Sequence, residues 1–410
     1  MAGISLSKDS LDDYVCSANS AIELKLVQVE NDLEDDKKAF HPEYTHQFFG
    51  DSESIFGYRD LKVQLYYSAA RLTTFLGLKF GEKITPDKSD GVQADEVINV
   101  IGEKLQPGFY QNRDDFIASL AKDANFKPHG ELLHTFNKEE ESTKRTFEVY
   151  RATALDPGFK EYHERMQTFV LWYIDAASFI DIDDELWEFF VMFEKLSCDG
   201  EPRYCFVGFM TVYRYYAYPN KKRPRISQML VLPPFQKKGL GAEMLQTVYN
   251  WYVKDPDVVD ITVEDPSEEF TRLRDFVDSK NSSKLTSFQS ENLLKGFSKE
   301  MVSEAQENLK INKKQTRKVY EILRLQATNT ADVEQYRAYR LDVKNRLNLP
   351  YQKQQADLAK LKKTLRPEEL RAALQCTNKE QRIEHLEKQY REVEDEYRHV
   401  LERLAASSSS

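Results

Sequence analysis

The sequence predicts an α+β protein with a mixed α/β N-terminal domain, a central domain of sheet and helices, and a helical C-terminal region. Three observations predict it. In the first 125 residues, apolar residues alternate at 21–29 and 61–80 reads as two strands, with a helix at 112–124. A strand, a helix, three strands, a helix, a strand and a helix follow one another from 146 to 279. Beyond 280 the chain is highly charged and patterned as helix. At 410 residues, 40% hydrophobic and 31% charged, the chain is long enough for two or three domains and a sizeable core, and it is not wholly disordered. The boundaries predicted are 1–125, 126–270, 271–345 and a charged helical or coiled-coil tail at 346–410.

The elements follow in order. AIELKLVQV (21–29) alternates Ile22, Leu24 and Leu26 and reads as a half-buried strand. LKVQLYYSAARLTTFLGLKF (61–80) reads as two more strands. NRDDFIASLAKDA (112–124) reads as a helix capped by Asn112. NKEEESTKR (137–145) reads as a polar loop, and TFEVYRA (146–152) as a strand. In 158–180, Phe159, Tyr162, Met166, Phe169, Val170, Tyr173 and Ile174 recur at three- and four-residue steps, which predicts one long helix. Strands are expected at 189–196, 204–218 and 225–234, then a helix at 241–255, a buried strand at 258–265 and a helix at 266–279 opening on Pro266. Further on, Pro350 and Pro367 punctuate the helices, with Pro367 a first-turn proline. Ile383, Leu386, Tyr390, Val393, Tyr397, Val400 and Leu404 form a heptad seam. A partner helix or this same chain can cover it.

Composition narrows the function. A net charge of −10 disfavours direct binding of nucleic acid, which calls for a basic surface, and suits solubility or a cationic partner. No apolar run approaches the ~18–20 residues that span a bilayer, and MAGISLSKDSLDDY lacks the features of a signal peptide. Cys16, Cys198, Cys205 and Cys376 make no CxxC pair and the histidines no HExxH, so no metal is expected.

The chemistry is expected at one turn. Glycine is scarce, 15 in the chain, yet two fall within Gln236-Lys237-Lys238-Gly239-Leu240-Gly241, between a strand and a helix. Glycines let backbone N–H groups approach an anion, the helix start adds partial positive charge, and Lys237 and Lys238 add full charge. The spacing fits neither the P-loop nor the dinucleotide fingerprint.

The QxxGxG turn after the fourth strand of this unit resembles the GCN5-related N-acetyltransferase fold. More specifically, EYTHQFFGD (43–51), EYHERMQTF (161–169), ASFIDIDDE (177–185), SQMLVLPPFQ (227–236), DITVEDPS (260–267), RLRDF (272–276) and KVYEILRL (318–325) look like the type B histone acetyltransferase catalytic subunit family. The resemblance runs from about residue 20 to the C-terminal helices and departs in the N-terminal tail and at 137–145. It implies that Gln236, Lys237, Lys238, Gly239, Leu240, Gly241 and Ala242 hold the diphosphate of acetyl-CoA, and that Met229, Leu230 and Val231 pair with its pantetheine arm. Pro233 and Pro234 stop strand pairing there, which suits an opened sheet.

Direct transfer to a lysine amine needs a base, because near pH 7.4 only ~0.1% of lysine is neutral. The resemblance assigns that role to Glu264, with Asp265 the second candidate and Asp175 a third. If 258–265 is a regular strand, Glu264 and Asp265 point to opposite faces. The resemblance also places Asp51, Ser52, Glu53, Trp187, Tyr213, Arg214 and Tyr215 along the groove for the histone H4 tail. The acidic run Asp181–Glu185 adds charge opposite to a basic peptide. It further implies newly made, non-nucleosomal H4, with H2A as a second substrate. The implied partners are the H3–H4 complex and a WD40-repeat histone chaperone of the retinoblastoma-binding type, in nucleus and cytoplasm, without specific DNA or membrane binding. Lys221-Lys222-Arg223-Pro224-Arg225 fits a nuclear-import motif or a hairpin turn. Another amine acceptor, or histone binding without catalysis, stands as the alternative.

Overall fold

A computed structural model describes residues 11–86, 91–140, 143–198, 200–361 and 379–408. The chain divides into two compact units. One comprises 1–218 with 224–251, the other 219–223 with 252–410.

The first unit opens on a three-stranded sheet of β1 (Ile22–Val27), β2 (Lys62–Ser68) and β3 (Thr74–Lys79), with β2 in the middle. β1 runs parallel to β2, and β3 antiparallel to it. The alternation in β1 predicts one wet face, but all six of its residues are buried. Its polar residues find partners inside. Lys25 Nζ donates to the Leu33 carbonyl (2.9 Å), and Tyr66 Oη donates to Glu23 (2.6 Å). These hydrogen bonds and ion pairs offset the desolvation cost that burial imposes on Lys25 and Glu23. Val27, Leu33, Tyr66, Phe75 and Phe116 form the local core. Phe116 comes from α1 (Arg113–Leu120), whose cap is the expected Asn112, accepting from the amides of Asp114 and Asp115.

The second sheet of this unit holds β4 (Glu131–Glu140), β5 (Thr143–Ala152), β6 (Trp187–Cys198), β7 (Glu201–Ala217) and β8 (Lys221–Val231), neighbours in that order. The strands expected at 189–196, 204–218 and 225–234 are present as β6, β7 and β8, but β8 starts four residues earlier, so the basic run from Lys221 lies in the strand and not in a turn, and it stops three residues sooner, at Val231. The expected loop at 137–145 is instead a hairpin, apart from 141 and 142, which lie outside the described residues. Its register pairs Lys138 with Arg145 and Glu140 with Thr143. Composition hides these strands because cross-strand contacts make them: Phe136 stacks on Phe147 (5.5 Å), and Arg145 bonds to Glu194 of β6.

The long helix expected over 158–180 is shorter. α2 (Phe159–Met166) continues through a 3₁₀ turn into Val170–Tyr173 and stops there. Ile174 is extended and Ala176 has φ +52°, so Asp175 lies beyond the helix. The expected apolar face up to Tyr173 is buried. α3 (Leu240–Val253) follows β8 as predicted.

The second unit holds α4 (Glu268–Ser282), α5 (Lys313–Ala327), α6 (Val333–Leu361) and α7 (Lys379–Ser408) among its helices. α4 starts after Ser267, whose hydroxyl accepts from the Phe270 amide, so the cap is Ser267 and Pro266 precedes it. Pro350 does not end a helix; it removes one amide donor from within α6. Pro367 lies outside the described residues. The heptad seam folds back on its own unit. Tyr390, Tyr397, Val400 and Leu404 are buried, while Ile383 at its start is exposed. Tyr397 donates to the fully buried Glu321, which also receives Arg317 and Arg346.

The buried strand expected at 258–265 shrinks to β9 (Thr262–Val263). Val258 and Ile261 are buried and make single bridges to Lys222 and Ile311. The basic run at 221–223 is engaged here: Lys221 with Asp257, Lys222 with Asp255, Arg223 with Asp260.

Candidate active site

β8 ends where proline ends pairing. The Leu232 amide still reaches the Val207 carbonyl (2.9 Å), and then Pro233–Phe235 forms a 3₁₀ turn. Of the cofactor-strand candidates, Leu230 is buried while Met229 and Val231 are half-buried. Gly208 of β7 lies under them. A Cβ added there would sit 2.2 Å from the Leu230 carbonyl oxygen and 2.9 Å from the Val231 Cα. Sequence reading missed this glycine, because nothing in a run of strand residues tells which position faces a neighbouring backbone.

The turn itself is built for an acceptor. Gln236 folds back and donates its side-chain N–H to the Val231 carbonyl (2.9 Å). Lys237 and Gly239 both have positive φ, +61° and +78°, a conformation natural to glycine and rare for lysine. Among the described residues no acceptor reaches the backbone N–H of Lys237, Lys238 or Gly239. The following helix begins at Leu240, and its first amides lack intrahelical partners by geometry. Leu240 anchors that start in the core, and Gly241 and Ala242 are half-buried.

The β4–β5 hairpin brings a further cation to this turn. Lys138 Nζ bonds Glu243 of α3 (2.8 Å), and it would stand 3.8 Å from a Cβ built on Gly239. Lys238 bonds Glu140 (2.8 Å), which also takes Arg145. Lys238 first, then Arg145, hold the Glu140 carboxyl below the usual carboxylate range. Lys138 and Glu140 are not legible as site neighbours while the hairpin reads as a loop.

A second group gathers around Gln228, the residue of β8 that precedes Met229. Gln228 donates from its amide to Thr211 Oγ1 and from its side chain to the Ser178 carbonyl; Gln47 holds the neighbouring Ala177 carbonyl. This fixes the segment carrying Asp175. His46 stands between Asp175 (3.5 Å) and Glu53 (3.7 Å). Asp51 and Ser52 are exposed. Glu53 accepts from the amides of Thr45 and His46 and from Asn19 Nδ2; the Thr45 amide above all holds its carboxyl low. Its oxygens therefore brace the loop.

Along β7, Trp187 meets Tyr213 edge-on (4.9 Å), Tyr213 meets Tyr215 (4.7 Å), and Arg225 lies over Tyr215 (4.6 Å). The Tyr213 hydroxyl donates to Asp184, which pushes its own ionisation up. Arg214 binds the carbonyls of Glu185 and Leu186, so it holds the acidic run in place, and Asp183 pairs with Lys160. The turn, the strand end, Asp175, the 51–53 loop and the aromatic group all belong to the first unit.

Glu264 and Asp265 belong to the second unit. The regular-strand alternation fails for them: the strand stops at Val263, both side chains are exposed, and Asp265 has φ +29°. Their approach is fixed just upstream, where the Ile261 amide donates to the Lys310 carbonyl and Arg274 binds the Ile261 carbonyl. Among the described residues no group of three or more His, Cys, Asp or Glu has the placement to hold a metal. Cys205 is fully enclosed, and burial pushes its thiol up to about 12, which keeps it a poor nucleophile.

Residues 14–175 match the family model described as Histone acetyl transferase HAT1 N-terminus. Residues 146–272 match the Acetyltransferase (GNAT) family, and 274–325 the Histone acetyltransferase type B catalytic subunit, C-terminal. Proteins named Histone acetyltransferase type B catalytic subunit from Mus musculus and Homo sapiens are each 50% identical over 397 residues; the matches span 96% of this chain and 95% and 94% of theirs. One of the same name from Dictyostelium discoideum is 35% identical over 326 residues, 75% of this chain and 64% of its own. Among solved structures, an aminoglycoside acetyltransferase from an uncultured soil metagenomic sample, in complex with sisomicin, covers 34% of this chain and 88% of that one at 19% identity and a TM-score of 0.24.

Proposed function

Since the chain belongs to the histone acetyltransferase type B catalytic subunit family, we propose that it transfers acetyl from acetyl-CoA directly to lysines on the N-terminal tail of newly made, non-nucleosomal histone H4. The observation that carries this reading is the turn at 236–241. Three successive amides without acceptors, a helix start and adjoining lysines form a cradle for a diphosphate.

Bound acetyl-CoA supplies an activated thioester. The amides of Lys237, Lys238 and Gly239 and the lysine cations hold its phosphates. The end of β8 at Met229–Val231 orients the extended arm, and a backbone N–H there stabilises the oxyanion as the amine attacks. Glu264 takes the proton from the incoming lysine ammonium; the new C–N bond forms, the C–S bond breaks, and coenzyme A leaves as a thiolate that takes up a proton from solvent. Asp265 and Asp175 are the second and third candidates for that role. Cys205 is buried with its thiol held protonated, so it does not suit the role of an acyl acceptor.

For the tail, exposed Asp51 and Ser52 on the loop braced by Glu53, the aromatic group of Trp187, Tyr213 and Tyr215, and the acidic run fixed by Arg214 suit a lysine- and arginine-rich peptide. The proposal extends to the H3–H4 complex and a WD40-repeat histone chaperone of the retinoblastoma-binding type as partners, H2A as a further substrate, a place in chromatin assembly, and a location in nucleus and cytoplasm.

The test is mass spectrometry of free H4, the H3–H4 complex and intact nucleosomes after incubation with enzyme and acetyl-CoA. Acetylation of tail lysines on the free and complexed histones, with nucleosomes left unmodified, is expected. Equal modification of nucleosomes would overturn the non-nucleosomal assignment, and no histone modification at all would overturn the substrate.

A further inference from the structure

We propose that Lys138 of the β4–β5 hairpin is a further ligand of the diphosphate, and that Glu243 competes with that ligand for its ammonium. This rests on the reading of the 236–241 turn as the cofactor cradle. Lys138 and Glu140 stand two apart on β4 and so share one of its faces, from which each reaches the turn or the helix behind it: Lys138 to Glu243, Glu140 to Lys238.

The two ion pairs look alike but differ in what anchors them. Glu140 is tied by Arg145, which in turn grips the nearly buried Glu194, so Lys238 faces a fixed carboxylate. Glu243 sits in the first turn of α3, where the helix dipole favours a carboxylate even without a lysine. The Lys138–Glu243 pair is about one-third exposed on both sides, and pairs so open to water hold weakly. Lys138 can therefore leave Glu243 at little cost, and it already lies over Gly239, whose amide has no acceptor among the described residues. A diphosphate on those amides is a stronger attractant than one carboxylate, and Glu243 beside it is a repulsive neighbour.

A merely structural pair predicts that loss of either partner has the same consequence. Competition predicts opposite signs. The experiment is titration calorimetry of the full chain with coenzyme A at fixed ionic strength, for the wild type, Lys138→Gln, Lys138→Arg and Glu243→Gln. Melting of each free protein shows that it folds. Lys138→Gln is expected to weaken coenzyme A binding roughly ten- to hundredfold, Lys138→Arg to retain most of the affinity, and Glu243→Gln to bind as tightly as the wild type or tighter. Unchanged affinity in Lys138→Gln, or equal weakening in Lys138→Gln and Glu243→Gln, overturns the proposal while leaving the cradle in place. Failure of the wild type to bind coenzyme A would instead remove the cradle itself.

Discussion

Replacing Glu264 by glutamine is expected to slow acetyl transfer about 10²–10⁴-fold while coenzyme A binds as before. A lysine with a pKa of ~10.4 is about 0.1% neutral near pH 7.4, so presenting it as a nucleophile costs about 4 kcal/mol. A carboxylate that takes the proton during attack removes much of that burden; glutamine keeps the shape and cannot accept it. Glu264 is exposed at the end of β9, and its approach is set by the Ile261 bonds to Lys310 and Arg274. The substitution therefore leaves the fold and the turn at 236–241 intact. Steady-state turnover with an H4 tail peptide measures the effect. In the glutamine variant the rate should climb with pH toward the lysine's own range, because hydroxide then does what the carboxylate did. Asp265→Asn should cost much less. An unchanged rate in Glu264→Gln with a large loss in Asp265→Asn would exchange the two roles.

A large stability effect is expected at Gly208. In a strand, glycine to alanine normally favours folding by restricting the unfolded chain. Here the sign reverses. The new Cβ would stand 2.2 Å from the Leu230 carbonyl and 2.9 Å from the Val231 Cα, both backbone atoms that cannot swing away. β7 and β8 would have to separate where β8 reaches its end. We expect Gly208→Ala to lose about 3 kcal/mol and to weaken coenzyme A binding as well, since Met229–Val231 would shift. Denaturant unfolding together with coenzyme A titration checks both. An alanine variant as stable as the wild type would show that the strands do not approach so closely in solution.

How far the sequence reveals this molecule depends on where the determining contacts lie. The turn at 236–241 was legible because its chemistry is local: glycines, lysines and a helix start lie in one window. Strands β6, β7 and β8 were legible for the same reason, through apolar runs bounded by turn residues. The hairpin at 137–145 was not, because strands made of Lys, Glu and Thr are held by partners across the sheet, Arg145 with Glu194 and Phe136 with Phe147. With it went Lys138. β1 reads as half-buried because Glu23 and Lys25 are polar, and their partners Tyr66 and Leu33 come from elsewhere in the chain. The end of the 158–180 helix was overrun because Ile174 continues the apolar spacing, while the backbone at 174–176 turns away. The resemblance sets Glu53 along the tail groove; the three donors that tie its carboxylate to the loop appear only in the fold.

The central claim is that the turn at 236–241 grips the diphosphate of acetyl-CoA. A crystal structure of the full chain with coenzyme A tests it most directly. The expected result is phosphate oxygens accepting from the amides of Lys237, Lys238 and Gly239, with the pantetheine arm along Met229–Val231. Coenzyme A bound at another place, with those three amides turned to protein acceptors, would contradict it.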